Sequence, residues 1–88
     1  MNRPECLDAA YAAITGQREQ DYGSPGDNFT RVALMWTAVL GVTVSAADVA
    51  LCLICLKVAR LSVNPSHADS WIDAAGYAAC GAEVATKP

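Results

Sequence analysis

Histidine is nearly absent from this chain: among 88 residues only His67 carries an imidazole. One histidine is too little for a Ser-His-Asp or Cys-His catalytic arrangement to be legible. His67 reads instead as a polar residue at a helix start. A zinc site fails on the same ground, because Cys52 and Cys55 have no second ligand pair at suitable spacing. Basic residues are scarce as well. Six Lys and Arg stand against nine Asp and Glu, for a formal net charge of -3. That balance argues against a DNA or RNA polymer as partner, which would need a basic face. It leaves room for a small pocket of local positive charge. There is no Walker or dinucleotide glycine fingerprint. Strand-like alternation, internal repeats, low-complexity tails and linkers are missing too. The N-terminus, MNRPECLDAAYAA, carries acids and no continuous apolar core, so no signal peptide is expected.

What the chain has in quantity is apolar surface. Hydrophobic residues make up 53% and charged residues 17%. Residues 1–88 are expected to form a single helical domain, and a domain of this size is marginal alone. So much apolar surface in so small a unit predicts a homo-oligomer that buries part of the long apolar helix, residues 45–63. The four cysteines, Cys6, Cys52, Cys55 and Cys80, read as small hydrophobes buried in helices. Unpaired thiols point to a reducing, cytoplasmic setting. The stretch 37–56 is about long enough to span a membrane. Gly41, the cap signal at Ser45 and Asp48 interrupt it, so two helices meeting at a turn explain it better, and no membrane partner is expected.

The pattern predicts an all-α fold, a compact bundle of about four helices with short connections. The first runs from Pro4 to about Thr15, closed by Gly16 or continuing to Gln20, with Leu7, Ala10, Tyr11 and Ile14 as its apolar stripe. The segment DYGSPGDN, residues 21–28, is a loop by composition. Asp27 or Asn28 then caps a second helix that ends before Gly41 and buries Val32, Met35, Trp36, Val39 and Leu40. Ser45 and Asp48 form a variant capping box for the third helix, which Asn64-Pro65 ends. Eight consecutive apolar residues lie between Asp48 and Lys57 of this helix, predicting burial on all sides, in a core or between subunits. Ser66 and Asp69 repeat the cap pattern before a fourth helix that reaches about Ala85.

Two regions could carry chemistry. Around residues 18–29, Arg18, Tyr22, Asn28 and Phe29 cluster with two glycines. Arginine can grip a phosphate, an aromatic ring can stack on a base, and free amides before a helix can receive an anion. The plainer reading is a loop that only caps the next helix. In the second region Lys57 and Arg60 lie one turn apart on an otherwise apolar helix, while Asp69, Asp73 and Tyr77 line one face of the next. A hairpin between the two helices would bring these groups together. They then either hold an anionic ligand or form an ion-pair network, since buried charges need partners. Metal chemistry is a further alternative, with Asp48, Asp69 and Asp73 as ligands. All-α pyrophosphohydrolases of the MazG type carry a Glu-Glu-x-x-Glu run on one helix and a Glu-x-x-Asp run on another. Asp69 and Asp73 match the second run only loosely. The first run is missing. No catalytic set, cofactor or metal site is therefore assigned.

Three stretches, REQDYGSPGDNF, DVALCLICLKVARL and HADSWIDAAGYAACGAE, resemble a family of small helical proteins of unknown function encoded by tailed phages and prophages. The resemblance rests on Arg18, Tyr22, Gly23, Pro25, Asn28 and Phe29, then on Asp48, Lys57 and Arg60, then on Asp69, Asp73, Gly76 and Tyr77. It covers nearly the whole chain. It implies a phage origin, an infected bacterial host and an all-α fold, and no particular reaction. By analogy of size and pocket chemistry the chain is also similar to phage sponges that trap nucleotide signals of bacterial immune systems such as CBASS and Thoeris. On that reading Arg18, Lys57 and Arg60 neutralise phosphates. Tyr22, Phe29 or Tyr77 stacks on bases, and Asn28 and Asp69 read polar edges of a cyclic nucleotide. The alternatives are a MazG-like nucleotide pyrophosphohydrolase and a structural or partner-binding oligomer.

Overall fold

A computed structural model describes residues 1–87. They form α1 (Arg3–Ile14), α2 (Gln17–Tyr22), α3 (Pro25–Leu40), α4 (Ala46–Val63) and α5 (Ala68–Thr86). The fold is all-α, with the four long helices expected and a six-residue α2 between the first two. Each start has a local cause. At α1 the Glu5 amide donates to Asn2 Oδ1 at 2.8 Å, and the Asn2 amide donates back to the Glu5 carboxylate. At α4 the expected box is present: the Asp48 amide donates to Ser45 Oγ at 3.1 Å, and the Ser45 amide to Asp48 Oδ2 at 3.0 Å. Such reciprocal bonds satisfy amides that a helix start leaves without partners.

Two caps differ from the sequence reading. Ser24, rather than Asp27 or Asn28, caps α3, accepting from the Asp27 amide at 3.2 Å. Pro25 fits the first turn, where its missing N–H costs nothing, so the helix starts three or four residues earlier than the cap at Asp27 or Asn28 implied. At α5 the capping position is His67, without a side-chain cap. Ser66 instead donates to Asn64 Oδ1 at 3.0 Å. His67 Nδ1 lies 2.8 Å from Ser70 Oγ, which is buried. The turn is further tied by Trp71, whose indole Nε1 donates to the Pro65 carbonyl at 2.8 Å.

Helix α5 is the centre of the molecule, packing on α4, α1 and α3, while α3 also packs on α4. Lys57 meets Asp73, and Ala50 faces Gly81, so α4 and α5 form an antiparallel hairpin. A Cβ on Gly81 would sit 2.9 Å from the Ala50 Cβ, and one on Gly76 would sit 2.9 Å from Ile14 Cγ2. The missing side chains let α4 and α1 approach the α5 backbone this closely. Phe29, Ala33, Val49, Ala50 and Cys80 make the core, with Ile14, Trp36, Leu53 and Tyr77 packed around it.

The buried faces are narrower than expected. On α3 it is Phe29 and Ala33 that are buried, whereas Met35, Val39 and Leu40 are exposed. On α1, Leu7 and Tyr11 are exposed and Ala10 is buried. Within one copy, α4 is not buried on all sides. Its inner side holds Val49, Ala50, Lys57 and Leu61, while Leu51, Cys52, Cys55 and Val58 are exposed. The reason is the element count: α3 and α5 cover α4 from two directions, and no further helix reaches its third side. All four thiols are free, and only Cys80 is buried. Among the described residues, no helix is long and apolar enough to cross a membrane.

Candidate functional site

The short helix α2 is the element that makes a site possible. It ends at Gly23, where φ is +80°, a conformation that a residue with a Cβ adopts only with strain. The chain turns there into α3. Arg31, one turn and a half into α3, reaches back and donates from Nη2 to the Tyr22 carbonyl at 2.8 Å. This pins the corner, a tie that no sequence spacing announced. The corner stands over the α1–α5 junction and leaves a cleft beneath it.

The cleft is lined by Arg18, Glu19 and Tyr22 from α2, by Pro25 and Asn28 from the start of α3, and by Ile14 at the end of α1. Its other wall is one face of α5, namely Ile72, Asp73, Gly76, Tyr77 and Cys80. These five recur at three- and four-residue steps, as one helix face requires. The space spans about 530 Å³ including its open mouth, but only about 50 Å³ is enclosed. Pockets that swallow a drug-sized ligand enclose several hundred. This part of the cleft alone therefore holds one group, or the edge of one ring, while an adjoining hollow of about 260 Å³ reaches Tyr11, Thr15 and Glu83 and shares Ile14, Glu19, Pro25 and Cys80 with it.

At the mouth the Arg18 guanidinium carbon lies 5.9 Å from the centre of the Tyr22 ring, within cation–π range. Behind the lining residue Asp73, Lys57 Nζ lies 2.8 Å from Asp73 Oδ2. The lysine side chain is 10% exposed and the aspartate 39%. Asp73 thus has one side on a buried cation and the other toward the cleft. Burial raises the Cys80 thiol pKa, the nearby Glu83 carboxylate adds to this, and Arg18 opposes it. A thiol held in its protonated form is a poor nucleophile, so Cys80 is a wall residue.

The structure brings together four of the residues expected to bind a ligand, Arg18, Tyr22, Asn28 and Tyr77, with Asp73 of the second region beside them. Lys57 stands behind them, connected through Asp73. Phe29 lies elsewhere: it is 5% exposed and belongs to the core, because α3 begins early enough to turn position 29 inward. Arg60 and Asp69 are exposed and do not line the cleft. Of the ion-pair network, only the Lys57–Asp73 bond forms at this hairpin among the described residues. The metal alternative needs Asp48 beside Asp69 and Asp73. In the antiparallel hairpin Asp48 is nine residues of helix from Lys57, about 14 Å along the axis, and it is occupied in the α4 cap. Among the described residues, no group of three His, Cys, Asp or Glu side chains is placed to hold a metal ion.

The profile of a protein family described as a domain of unknown function, DUF6378, matches residues 5–85. The Gene 55 protein of Mycobacterium phage D29 is 38% identical over 82 residues, covering 93% of this chain and 54% of that protein. The Gene 55 protein of Mycobacterium phage L5 is 45% identical over 73 residues, covering 82% of this chain and 47% of that protein. The chain thus spans about half the length of these relatives. No solved structure gives a significant match.

Proposed function

The chain belongs to the DUF6378 family, with relatives encoded by mycobacteriophages, and from that premise we propose that it is a phage nucleotide-binding protein. Its ligand is a cyclic oligonucleotide signal, held in the cytoplasm of the infected bacterium and not turned over. The observation that carries the reading is the pairing of Arg18 with Tyr22 at the cleft mouth. A guanidinium beside an exposed ring offers a stacking surface and a phosphate partner within one side-chain length. Asn28 and the free side of Asp73 supply hydrogen-bonding groups at the depth a base edge would reach.

The charge balance refines the ligand. Arg18 stands against Glu19, and Asp73 is offset by Lys57, so the site carries no surplus of positive charge. A triphosphate fits such a site poorly. One phosphodiester and one base fit it better, which suits one part of a cyclic di- or trinucleotide.

The test is a thermal-shift screen with cyclic di- and trinucleotides, NAD-derived cyclic signals and plain nucleoside triphosphates, each with and without Mg²⁺. A ligand of the native state stabilises it by mass action, by about 2.7 kcal/mol at a hundredfold excess over Kd, and so raises the melting temperature. The expected result is a rise with one cyclic nucleotide, recovered intact. Arg18→Ala and Tyr22→Ala should remove the rise while leaving the unliganded melting temperature unchanged, since both side chains are exposed. No response to any cyclic nucleotide at micromolar concentration would sink the reading.

A further inference from the structure

The outward side of α4 has no partner. Leu51, Cys52, Cys55, Val58 and Ala59 are all exposed there, with Leu51 at 60% and Val58 at 56%. They recur at three- and four-residue steps, so they form one stripe. No charged side chain interrupts it: Lys57 is buried on the opposite side, and Asp48 and Arg60 flank the ends.

The size of the molecule says that something covers such a surface. The accessible area is 5913 Å² for a mass of 9.2 kDa. A compact monomer of that mass exposes about 4,900 Å². The radius of gyration is 13.5 Å, against about 12 Å for a compact chain of this length. The excess of about 1,000 Å² is close to the roughly 800 Å² that each partner contributes to a standard interface.

We propose that the α4 stripe is the interface with a second copy of this chain, packed antiparallel across a two-fold axis at Cys55. The stripe is complementary to its own reverse. With Cys55 at the axis, Leu51 of one copy falls opposite Ala59 of the other, and Cys52 opposite Val58. Large side chains then meet small ones, as close helix packing requires, and each contact occurs twice, as two-fold symmetry demands. The absence of charge along the stripe speaks against an acidic or basic partner. The inference is independent of any ligand in the cleft, which lies on the other side of α4, beyond α5.

Three measurements on the 88-residue chain test it. Light scattering on the eluting protein at micromolar concentration is expected to give the mass of two copies. The mass of one copy overturns the proposal. Oxidation with copper(II)–phenanthroline is expected to give a disulfide-linked dimer that Cys55→Ser abolishes and Cys52→Ser retains. A cross-link that survives Cys55→Ser overturns the placement of the axis. Leu51→Lys is expected to give a helical monomer, because position 51 is exposed within the chain and its change leaves the fold intact. A Leu51→Lys protein that keeps the mass of two copies would show that another face pairs, and so overturns the interface. If Leu51→Lys loses its helical signal, Ala59→Asp at the opposite end of the stripe decides the matter: a single-copy mass supports the proposal, and an unchanged dimer overturns it.

Discussion

At the scale of single residues the most consequential contact is Lys57 with Asp73. Its two partners are not equivalent. Lys57 is buried and Asp73 is half-exposed, so removing the aspartate strands a cation inside, whereas removing the lysine leaves a carboxylate that water can reach. Asp73→Ala is expected to lower stability by about 2 kcal/mol, the scale of a lost hydrogen bond to a buried charge. Lys57→Met fills the same space without a charge and is expected to stay within about 1 kcal/mol of the parent. Urea denaturation of both variants checks the order, and equal losses would count against this account. The pair was legible in the sequence because two cations on an apolar helix need partners, and Asp73 lies at the matching distance across the turn. The idleness of Arg60 and Asp69 was not legible. Which of two neighbouring charges faces the partner helix depends on about 60° of helix rotation, and composition does not fix that. Phe29 was misplaced for a related reason, since its orientation follows from a helix start set by Ser24.

At the scale of elements, the ends of α4 and its close contact with α5 carry separate predictions. The Ser45 amide, and then the Ser45 hydroxyl, hold the Asp48 carboxyl pKa below its ordinary 3.8. The ionised cap therefore stabilises the fold fully above that value, and the contribution fades as pH falls through the lower, folded-state pKa. Asp48→Asn should melt below the parent by a constant margin from pH 5 to 7, with the margin closing below about pH 4. A margin that widens in acid would contradict the cap. Gly81→Ala sets two effects against each other. Alanine favours helix over glycine by about 1 kcal/mol, but its Cβ would press on the Ala50 Cβ at 2.9 Å, an atom fixed to the backbone. Overpacking of this kind costs about 1–3 kcal/mol, so a net loss is expected in thermal denaturation. The four long helices, the Ser45–Asp48 box and the stops at Gly41 and Asn64 could all be read from the chain. The short α2 could not, because six residues between two glycines look the same whether they coil or loop. Its corner is held by Arg31, a tie that only folding reveals.

At the scale of the whole molecule, apolar content leads to an expectation of association through the long apolar helix, and the fold narrows that expectation to one side of it. The eight apolar residues before Lys57 suggested a helix wrapped on every side, and the fold wraps only part of it. Pairing through the α4 stripe, as proposed, ties the stability of one copy to its neighbour. The melting temperature is expected to rise with protein concentration in differential scanning calorimetry, and a value independent of concentration would indicate a self-sufficient monomer. The two tryptophans, finally, stand in very different surroundings. Trp36 packs against the core, whereas Trp71 is half in solvent at the α4–α5 turn with its indole tied to Pro65. The molecule therefore carries two built-in optical reporters, one for its interior and one for its hinge. With each silenced in turn by phenylalanine, fluorescence can follow separately whether the hairpin closes before, with or after the interior it encloses.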